Sequence, residues 1–338
     1  MTKKQVIYIA APANNTSGGP ESLFQLGKEL QLRNQKVVFY FYGGNRMDIP
    51  EKFKVYGDFE VVDSIEDSSN NVLIVPETWI NLLSEFKKIK KVIWWLSVDF
   101  YEYMTLDKVV SRFCIKYHVP QFLRGFAMLY KKNKGGWQEA EFLNEEILHL
   151  YNCEYVKEYL EKNGVSEKQM LFLAPPLSKE YFSVSKVKKE NIIAYNPAKG
   201  YEYTQNIMQI MNVKRPDIKF VPIQNMTSED VANLLNRAKL YLDLGFFPGP
   251  DRIPRQAVLT NTNVITSQDG TANNNIDTPI PSKYKFNKTD YENIVNEIIN
   301  NIDFYENNVN DFEDFRKQVI FEKNNFSNEI DDLVKYIV

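Results

Sequence analysis

The chain has 338 residues, of which 43% are hydrophobic and 25% charged, and its formal net charge is −3. This composition is typical of a globular protein long enough for two domains, so it argues against extended disorder, and the lack of a basic excess argues against nucleic acid as a partner. The only cysteines, Cys114 and Cys153, lie among apolar and aromatic residues, which favours two buried thiols in a reducing cytoplasm over a disulfide or metal framework.

The first half of the sequence alternates apolar runs with segments of helical period. VIYIAA predicts a strand, Glu21 to Leu32 predicts a helix with its leucines on one face, and KVVFYFYGG predicts a second strand. Such a strand–helix–strand unit is typical of a parallel sheet. The runs NVLIVPE, KVIWWLSVD, ILHLYN and MLFLAPP continue the pattern. Because these runs are continuously apolar, we expect helices on both faces of the sheet.

Residues 106 to 146 fit this alternation least well. The segment VPQFLRGFAMLYKKNK is apolar with a basic end and is consistent with an inserted helix pair. We expect this pair to pack into the first domain. The alternative is a surface that faces a membrane or an acceptor. Weak peripheral association with a membrane is a further alternative, through Lys87, Lys88, Lys90 and Lys91 or through residues 131–134, although we interpret both lysine clusters as solvated basic faces.

The alternation restarts after Pro175, Pro176 and the charged stretch 185–190, which we interpret as a linker. NIIAYNP, IKFVPI, YLDLGFF and NVITS predict strands, Thr227 with Asp230 predicts a helix capping box, and residues 252–259 predict a helix. A long amphipathic helix is expected from Asp311 onwards. The organisation is therefore α/β, with domains over 1–175 and 190–305 and a final segment over 306–338.

Three loops follow predicted strands, where ligands of open parallel sheets bind. In PANNTSGGPE, Gly18 and Gly19 are expected to adopt positive φ and to bring backbone donors close to a ligand. A plain strand-to-helix turn is the alternative for this loop.

The other two loops carry the cationic candidates. NIIAYNPAKG ends a strand at Asn196 and presents Lys199 and Gly200, and a lysine there suits a phosphate. In LGFFPGPDRIPRQAV, Asp251 is placed to cap a helix whose first turn contains Arg252 and Arg255. A helix N-terminus beside two arginines favours an anion.

The sequence lacks the residue patterns that serine hydrolases and His- or Cys-based metal sites require. His118 and His149, the only histidines, lie in apolar runs that favour core positions, and the sequence has neither a nucleophile-elbow motif nor a metal-spaced His or Cys cluster. The acid–base candidates at strand ends are Glu77, which we interpret as a helix cap, and Asp99, which is balanced between a cap and a base.

In this order, the three loops resemble those of the GT-B glycosyltransferases, and most closely the retaining "group 1" enzymes of bacterial surface-polysaccharide synthesis. GGPESLFQLGKEL is similar to that family's first glycine loop, NPAKG to its diphosphate-binding strand end, and GPDRIPRQAV to part of its nucleotide-sugar site. The resemblance implies two facing Rossmann-like domains, an acceptor side in the first and a donor side in the second, and a C-terminal helix that crosses back to the first domain.

The resemblance also implies an activity: transfer of a sugar from a nucleotide-sugar donor to a glycan or lipid-linked acceptor, without a cofactor or metal. Lys199 and either Arg252 or Arg255 would neutralise the leaving diphosphate, Gly18 and Gly19 would donate backbone hydrogen bonds, and Gln256 would contact the ribose. Asp99 is the candidate base if the reaction inverts. The sequence departs from the family's glutamate pair, because Pro248 and Gln256 occupy those positions. That departure leaves two alternatives open, a non-catalytic module that binds glycan or assists a partner glycosyltransferase, and a nucleotide-sugar epimerase.

Overall fold

A computed structural model describes residues 5–44, 48–140, 142, 144, 146–182 and 187–337. The chain divides into two compact units: residues 1–175 with 326–338, and residues 176–325. Residues 185 and 186 of the predicted linker lie outside the described residues.

The first unit is built on a seven-stranded parallel sheet with strand order β3-β2-β1-β4-β5-β6-β7. Its strands are β1 Val6–Pro12, β2 Lys36–Tyr42, β3 Glu60–Val62, β4 Val72–Pro76, β5 Lys90–Trp95, β6 Ile147–Tyr151 and β7 Met170–Phe172. Its helices are α1 Gly18–Leu32, α2 Val98–Met104, α3 Leu106–Lys116, α4 Arg124–Lys134 and α5 Glu154–Lys162. The order reverses between β1 and β4, so the loops that follow these two strands flank the position where α/β sheets bind ligands.

Helix α1 covers one face of this sheet because its apolar residues repeat at helical spacing. Leu23, Leu26 and Leu30 are buried, and the Phe24 ring stacks on Phe39 of β2 with centroids 4.3 Å apart. The helix begins at Gly18, earlier than expected. The expectation of positive φ at Gly18 and Gly19 is therefore wrong, since both are helical residues of the first turn.

The second unit contains a five-stranded parallel sheet of order β12-β11-β10-β8-β9. Its strands are β8 Glu190–Tyr195, β9 Lys219–Pro222, β10 Ala238–Asp243, β11 Asn263–Ser267 and β12 Lys285–Phe286. Its helices are α6 Tyr201–Lys214, α7 Ser228–Arg237, α8 Arg252–Leu259, α9 Tyr291–Asp303, α10 Tyr305–Asn308 and the start of α11 Glu313–Ile337. The capping box of Thr227 and Asp230 is present, and α8 spans the predicted residues. Here the strand order reverses between β8 and β10.

Helix α11 contributes to both hydrophobic cores. Phe315 and Val319 belong to the core of the second unit, whereas Phe326, Ile330 and Leu333 belong to the core of the first. Its final turns are anchored within the first unit, where Lys90 Nζ donates to the Ile337 carbonyl at 2.8 Å. The expected α/β fold class with a C-terminal helix returning to the first domain is confirmed.

Three sequence expectations fail in the first unit. His118 is exposed and has φ +51°, rather than lying in the core. Cys153 is buried, but Cys114 is only half-buried. The predicted pair of helices forms as α3 and α4, and Val110 of α3 is buried, but several large apolar side chains of the pair do not pack into the domain: Phe122 and Phe126 are 82% and 72% exposed. Within the described residues, no helix combines the length and apolar character that crossing a membrane requires.

Candidate functional site

Lys199 lies at the carboxyl edge of the second sheet, at the point where the strand order reverses. It follows β8, and its neighbour across the edge is the segment after β10. Its ammonium forms ion pairs with Asp251 and, at 3.2 Å, with Oδ2 of Asp243. It also donates to the Phe246 carbonyl at 3.3 Å and sits 4.0 Å from the ring centroid of Phe247. A single cation is therefore shared between two carboxylates.

Asp243 is the buried anchor of this group. Its carboxylate accepts hydrogen bonds from the Tyr241 hydroxyl at 2.8 Å and from the Gly245 backbone N–H at 3.0 Å. Burial raises the pKa of Asp243 above its ordinary value, while Lys199 and these donors oppose the rise. Asp243 is not among the residues predicted from the sequence, although a lone carboxylate at the end of the apolar run YLDLG is a signal for it.

Asp251 is the outer carboxylate of the group. Burial raises its pKa to about 6, Lys199 acts in the opposite direction, and the charge of Asp243 adds to the rise. Asp251 occupies the N-cap position of α8, but its side chain makes no capping hydrogen bond there. Its carboxylate is directed to Lys199 instead, so the N-terminus of α8 lacks the side-chain cap that the sequence predicts.

Burial lowers the pKa of Lys199, but the charges of Asp243 and Asp251 outweigh burial, so its pKa lies above the ordinary value. Lys199 is consequently a permanent cation near neutral pH. With both carboxylates ionised, the three side chains carry one net negative charge. An anionic ligand that binds the ammonium would therefore compete with the Asp251 carboxylate for it.

Two loops approach closely to place Lys199. Gly200 has φ +62°, and a Cβ atom there would lie 2.6 Å from the Gly245 backbone nitrogen. Only glycine satisfies both the left-handed backbone and this contact. Asn196 shapes the same turn, since its Oδ1 accepts from the Ala198 N–H at 3.0 Å.

The loop after β10 is held by the last residue of β11 and by the segment that follows this strand. Ser267 Oγ donates to the Gly245 carbonyl at 2.5 Å, and Thr271 Oγ1 donates to the Gly249 carbonyl at 2.7 Å. Gly270 has φ +63°, and a Cβ there would lie 1.9 Å from the Phe247 carbonyl oxygen. These hydroxyls and the glycine make the loop around Lys199 a rigid part of the second unit.

The remaining candidates of the second unit lie on α8. Arg252 is half-buried at the first position of the helix, next to Asp251. Arg255 and Gln256 are 4% and 7% exposed. The Arg255 guanidinium forms a buried ion pair with Glu322 of α11, a residue that the sequence did not single out. The structure thus brings Lys199 and Asp251 together at this edge, and Arg252 follows Asp251 in the chain, while Arg255 has a partner inside the fold.

In the first unit, Gly18 and Gly19 are the first two residues of α1, so their N–H groups have no partner within the helix. At the ends of the neighbouring strands lie two carboxyl groups of raised pKa. Burial raises the pKa of Glu77 to about 7, and its Oε2 accepts from the Leu96 N–H at 3.0 Å. Glu77 thus ties the end of β4 to the residue after β5.

Asp99 lies in the first turn of α2. Burial raises its pKa to about 6, the charge of Glu102 adds to the rise, and a hydrogen bond from Tyr155 opposes it. The Tyr155 hydroxyl is 3.5 Å from Oδ1, whereas the buried Oδ2 has no hydrogen-bond partner among the described residues. Asp99 therefore has an uncommitted oxygen and a pKa suited to proton exchange near neutral pH.

His149 is a core residue, as the sequence predicts. It is fully buried on β6, its Nδ1 accepts from the Trp95 indole at 3.0 Å, and burial lowers its pKa to about 4. Over the described ranges, no three His, Cys, Asp or Glu side chains are grouped to hold a metal ion.

No protein-family model matches the chain, and no curated protein matches its sequence. Solved structures do match its fold. WaaG, a glycosyltransferase of lipopolysaccharide biosynthesis, is 10% identical with a TM-score of 0.59 over 98% of this chain and 99% of its own. A sucrose-phosphate synthase from Thermosynechococcus elongatus is 11% identical with a TM-score of 0.63 over 99% of both chains.

Anabaena HepE, solved with UDP-glucose, is 10% identical with a TM-score of 0.62 over 98% of this chain and 99% of its own. At these identities, the likeness concerns the arrangement of the backbone alone. The chain has two parallel α/β units and a C-terminal helix that returns to the first unit, and it therefore has the fold of the GT-B glycosyltransferases.

Proposed function

We propose that the protein is a glycosyltransferase that moves a sugar from a nucleotide-sugar donor to a glycan or lipid-linked acceptor, as in the synthesis of surface polysaccharide. Three observations support this proposal: the GT-B fold, neighbours solved with UDP or UDP-glucose, and the position of Lys199. The position of Lys199 carries the most weight, because it places a fixed cation at the ligand-binding edge of the second sheet.

In this proposal, the donor diphosphate displaces the Asp251 carboxylate from Lys199. Asp243 stays in place because it is buried and held by Tyr241 and Gly245. Lys199 and Arg252 then neutralise the charge that develops on the leaving diphosphate, in place of a divalent cation or other cofactor. The N-terminus of α8 adds partial positive charge, because the Asp251 side chain does not cap it.

We assign Arg255 to stability rather than to the donor, since its guanidinium is paired with Glu322 in the interior. Gln256 remains the candidate for a ribose hydroxyl. On the first unit, the amides of Gly18 and Gly19 are proposed to lie near the reacting groups, and the acceptor is proposed to bind there.

The stereochemical course decides the role of Asp99. A retaining hexosyl transfer with leaving-group assistance requires no separate base, and this is the course we propose. If the configuration inverts, Asp99 with its free Oδ2 takes the proton from the acceptor hydroxyl. Cys114 and Cys153 are not joined in a disulfide, which suits action in a reducing cytoplasm, at the inner face of the membrane if the acceptor is lipid-linked.

A panel of nucleotides and nucleotide sugars in a thermal-shift assay tests the donor half of the proposal, followed by analysis of the products with glycan acceptors. A transferase is stabilised by one nucleotide family and yields a glycosylated acceptor. An altered donor sugar formed without an acceptor would indicate an epimerase instead.

One observation favours a second candidate, a non-catalytic module that binds glycan or assists a partner glycosyltransferase. The charge of Lys199 is already balanced by Asp243 and Asp251, which weakens the attraction for a diphosphate. A thermal shift with a glycan or a partner glycosyltransferase, and none with any nucleotide sugar, would support this candidate.

A further inference from the structure

Helices α3 and α4, with the connection between them, expose large apolar side chains that the proposed function does not use. Phe122 lies in the connection, and Phe126 lies in the first turn of α4. The other exposed apolar residues of the pair are Ile115, Tyr117, Leu129 and Tyr130. We call this set the exposed aromatic face. A folded protein rarely exposes so many large apolar side chains within one pair of helices without a partner.

The pattern along α4 shows that the exposure is organised. Phe126, Leu129 and Tyr130 stand at positions i, i+3 and i+4, so they share one face of the helix. The buried residue of α4 is the small Ala127. The helix therefore uses a small side chain for packing and turns its large apolar side chains outward, the reverse of what core packing requires.

The same helix pair is strongly basic. Residues 106–134 contain seven Lys and Arg side chains, and Asp107 is their only Asp or Glu, in a chain whose net charge is −3. Among the described residues, Arg124 is the one member of these seven that forms an ion pair, with Asp107. The positive charge of the pair thus remains largely unneutralised by carboxylates.

Some of these cations lie over aromatic rings. Lys131 Nζ lies 4.5 Å from the ring centroid of Phe113, and the Arg112 guanidinium lies 3.4 Å from that of Tyr103. A groove of about 460 Å³, lined by residues that include Ile115, Val119 and Arg124, adds an apolar recess beside a cation. Aromatic side chains mixed with lysine and arginine suit the interface of a bilayer, where rings enter the headgroup layer and cations meet lipid phosphates.

Two partners could cover the exposed aromatic face, a lipid bilayer or a second copy of the chain, and charge distinguishes between them. A symmetric dimer through this face would bring two strongly basic segments together, which like-charge repulsion opposes. An anionic lipid surface supplies both the opposite charge and an apolar layer for the rings.

We propose that the exposed aromatic face of α3 and α4 docks the protein peripherally on an anionic lipid bilayer. The inference goes beyond the proposed sugar transfer and does not depend on it, because lipid binding is measured without donor or acceptor.

Flotation of the full chain with phosphatidylcholine vesicles, with and without phosphatidylglycerol, tests the docking. We expect binding only to the anionic vesicles, weakening as salt is added. Lys132→Ala/Lys134→Ala should weaken partition by about 25-fold, roughly fivefold for each lysine near the surface. The matched pair Lys87→Ala/Lys88→Ala removes two exposed lysines outside this helix pair and should leave partition within about twofold of the parent.

The variant Phe122→Ser/Phe126→Ser tests how much the exposed apolar side chains contribute to vesicle binding, because it leaves the charge of the helix pair unchanged. These side chains are exposed, so the variant should keep the melting temperature and still lose at least about tenfold in partition. Val213→Ser, at another highly exposed apolar position, should change neither quantity. Failure of the parent protein to float with anionic vesicles would overturn the proposal. A parent dimer that Phe122→Ser/Phe126→Ser converts to monomer would overturn it in favour of a second copy.

Discussion

Asp251 forms an ion pair with Lys199 instead of capping helix α8. The carboxylate therefore occupies the ammonium group that a donor diphosphate would use. In the proposed function, this competition makes Asp251 a determinant of nucleotide affinity and links that affinity to pH.

The first prediction concerns this competition. Asp251 titrates at about 6 in the free protein, and a bound diphosphate raises that pKa further because it is negative. Binding then takes up a proton, so affinity should rise as pH falls from 8 towards 6 and level off below 6. Calorimetry with a nucleotide sugar measures this cleanly, because its diphosphate does not titrate in that range.

Asp251→Asn should bind the nucleotide sugar about tenfold more tightly than the parent at pH 8 and show a flat pH profile. Asp217→Asn, which alters an exposed ion pair near the start of β9, is the control and should leave the profile unchanged. Weaker binding by Asp251→Asn would instead mean that Asp251 contacts the donor directly.

The second prediction separates stability from donor binding on α8. Arg255→Met should lower the free energy of unfolding by about 3–5 kcal/mol, because it leaves Glu322 as an unpaired buried carboxylate. The double variant Arg255→Met/Glu322→Leu should recover most of that loss in urea unfolding. Donor affinity of the double variant should equal that of the parent. A tenfold loss of affinity with restored stability would return Arg255 to the donor site.

The third prediction concerns the backbone around Lys199. Gly200→Ala places a Cβ against the Gly245 backbone at a positive φ, so we expect a loss of about 2–4 kcal/mol in unfolding free energy. Gly125→Ala is the control: it lies in α4 with open space around it and should be neutral or stabilising by up to about 1 kcal/mol. Equal stability of the two variants would show that the loop can relax.

The fourth prediction uses the buried carboxyl of Glu77. Its pKa is raised from 4.5 to about 7 in the folded chain, so the folded state holds a proton that the unfolded state releases between these values. The stability this proton contributes is fully present below pH 4.5 and is lost as pH rises towards 7. Glu77→Gln should therefore gain up to about 3 kcal/mol relative to the parent at pH 8 and little at pH 4.5. Parallel stability curves for the two proteins would contradict the raised pKa.

Much of this architecture could be predicted from the sequence, because each strand and each helix start depends on residues that are close together in the chain. Apolar runs marked the strands, and Asp251 followed by Arg252 marked the start of α8. The buried ion pairs could not be predicted in the same way. Arg255 meets Glu322 through the return of α11, a contact between positions 67 residues apart that no spacing rule reveals.

The glycine loop shows a different limit. Gly18 and Gly19 signalled a turn with positive φ, but glycine also fits the helical first turn, where they lie. The solvent-facing residues of α3 and α4 were misjudged for a related reason, because an apolar period predicts a helix and its face but not what covers that face.

The proposed sugar transfer depends above all on binding of the donor diphosphate by Lys199. Calorimetric titration of parent and Lys199→Ala with nucleoside diphosphates, using the exposed Lys219→Ala as control, measures this contact. We expect Lys199→Ala to bind about tenfold more weakly, as one lost charged contact implies, and Lys219→Ala to match the parent. Unchanged affinity in Lys199→Ala would contradict the account and remove Lys199 from the site.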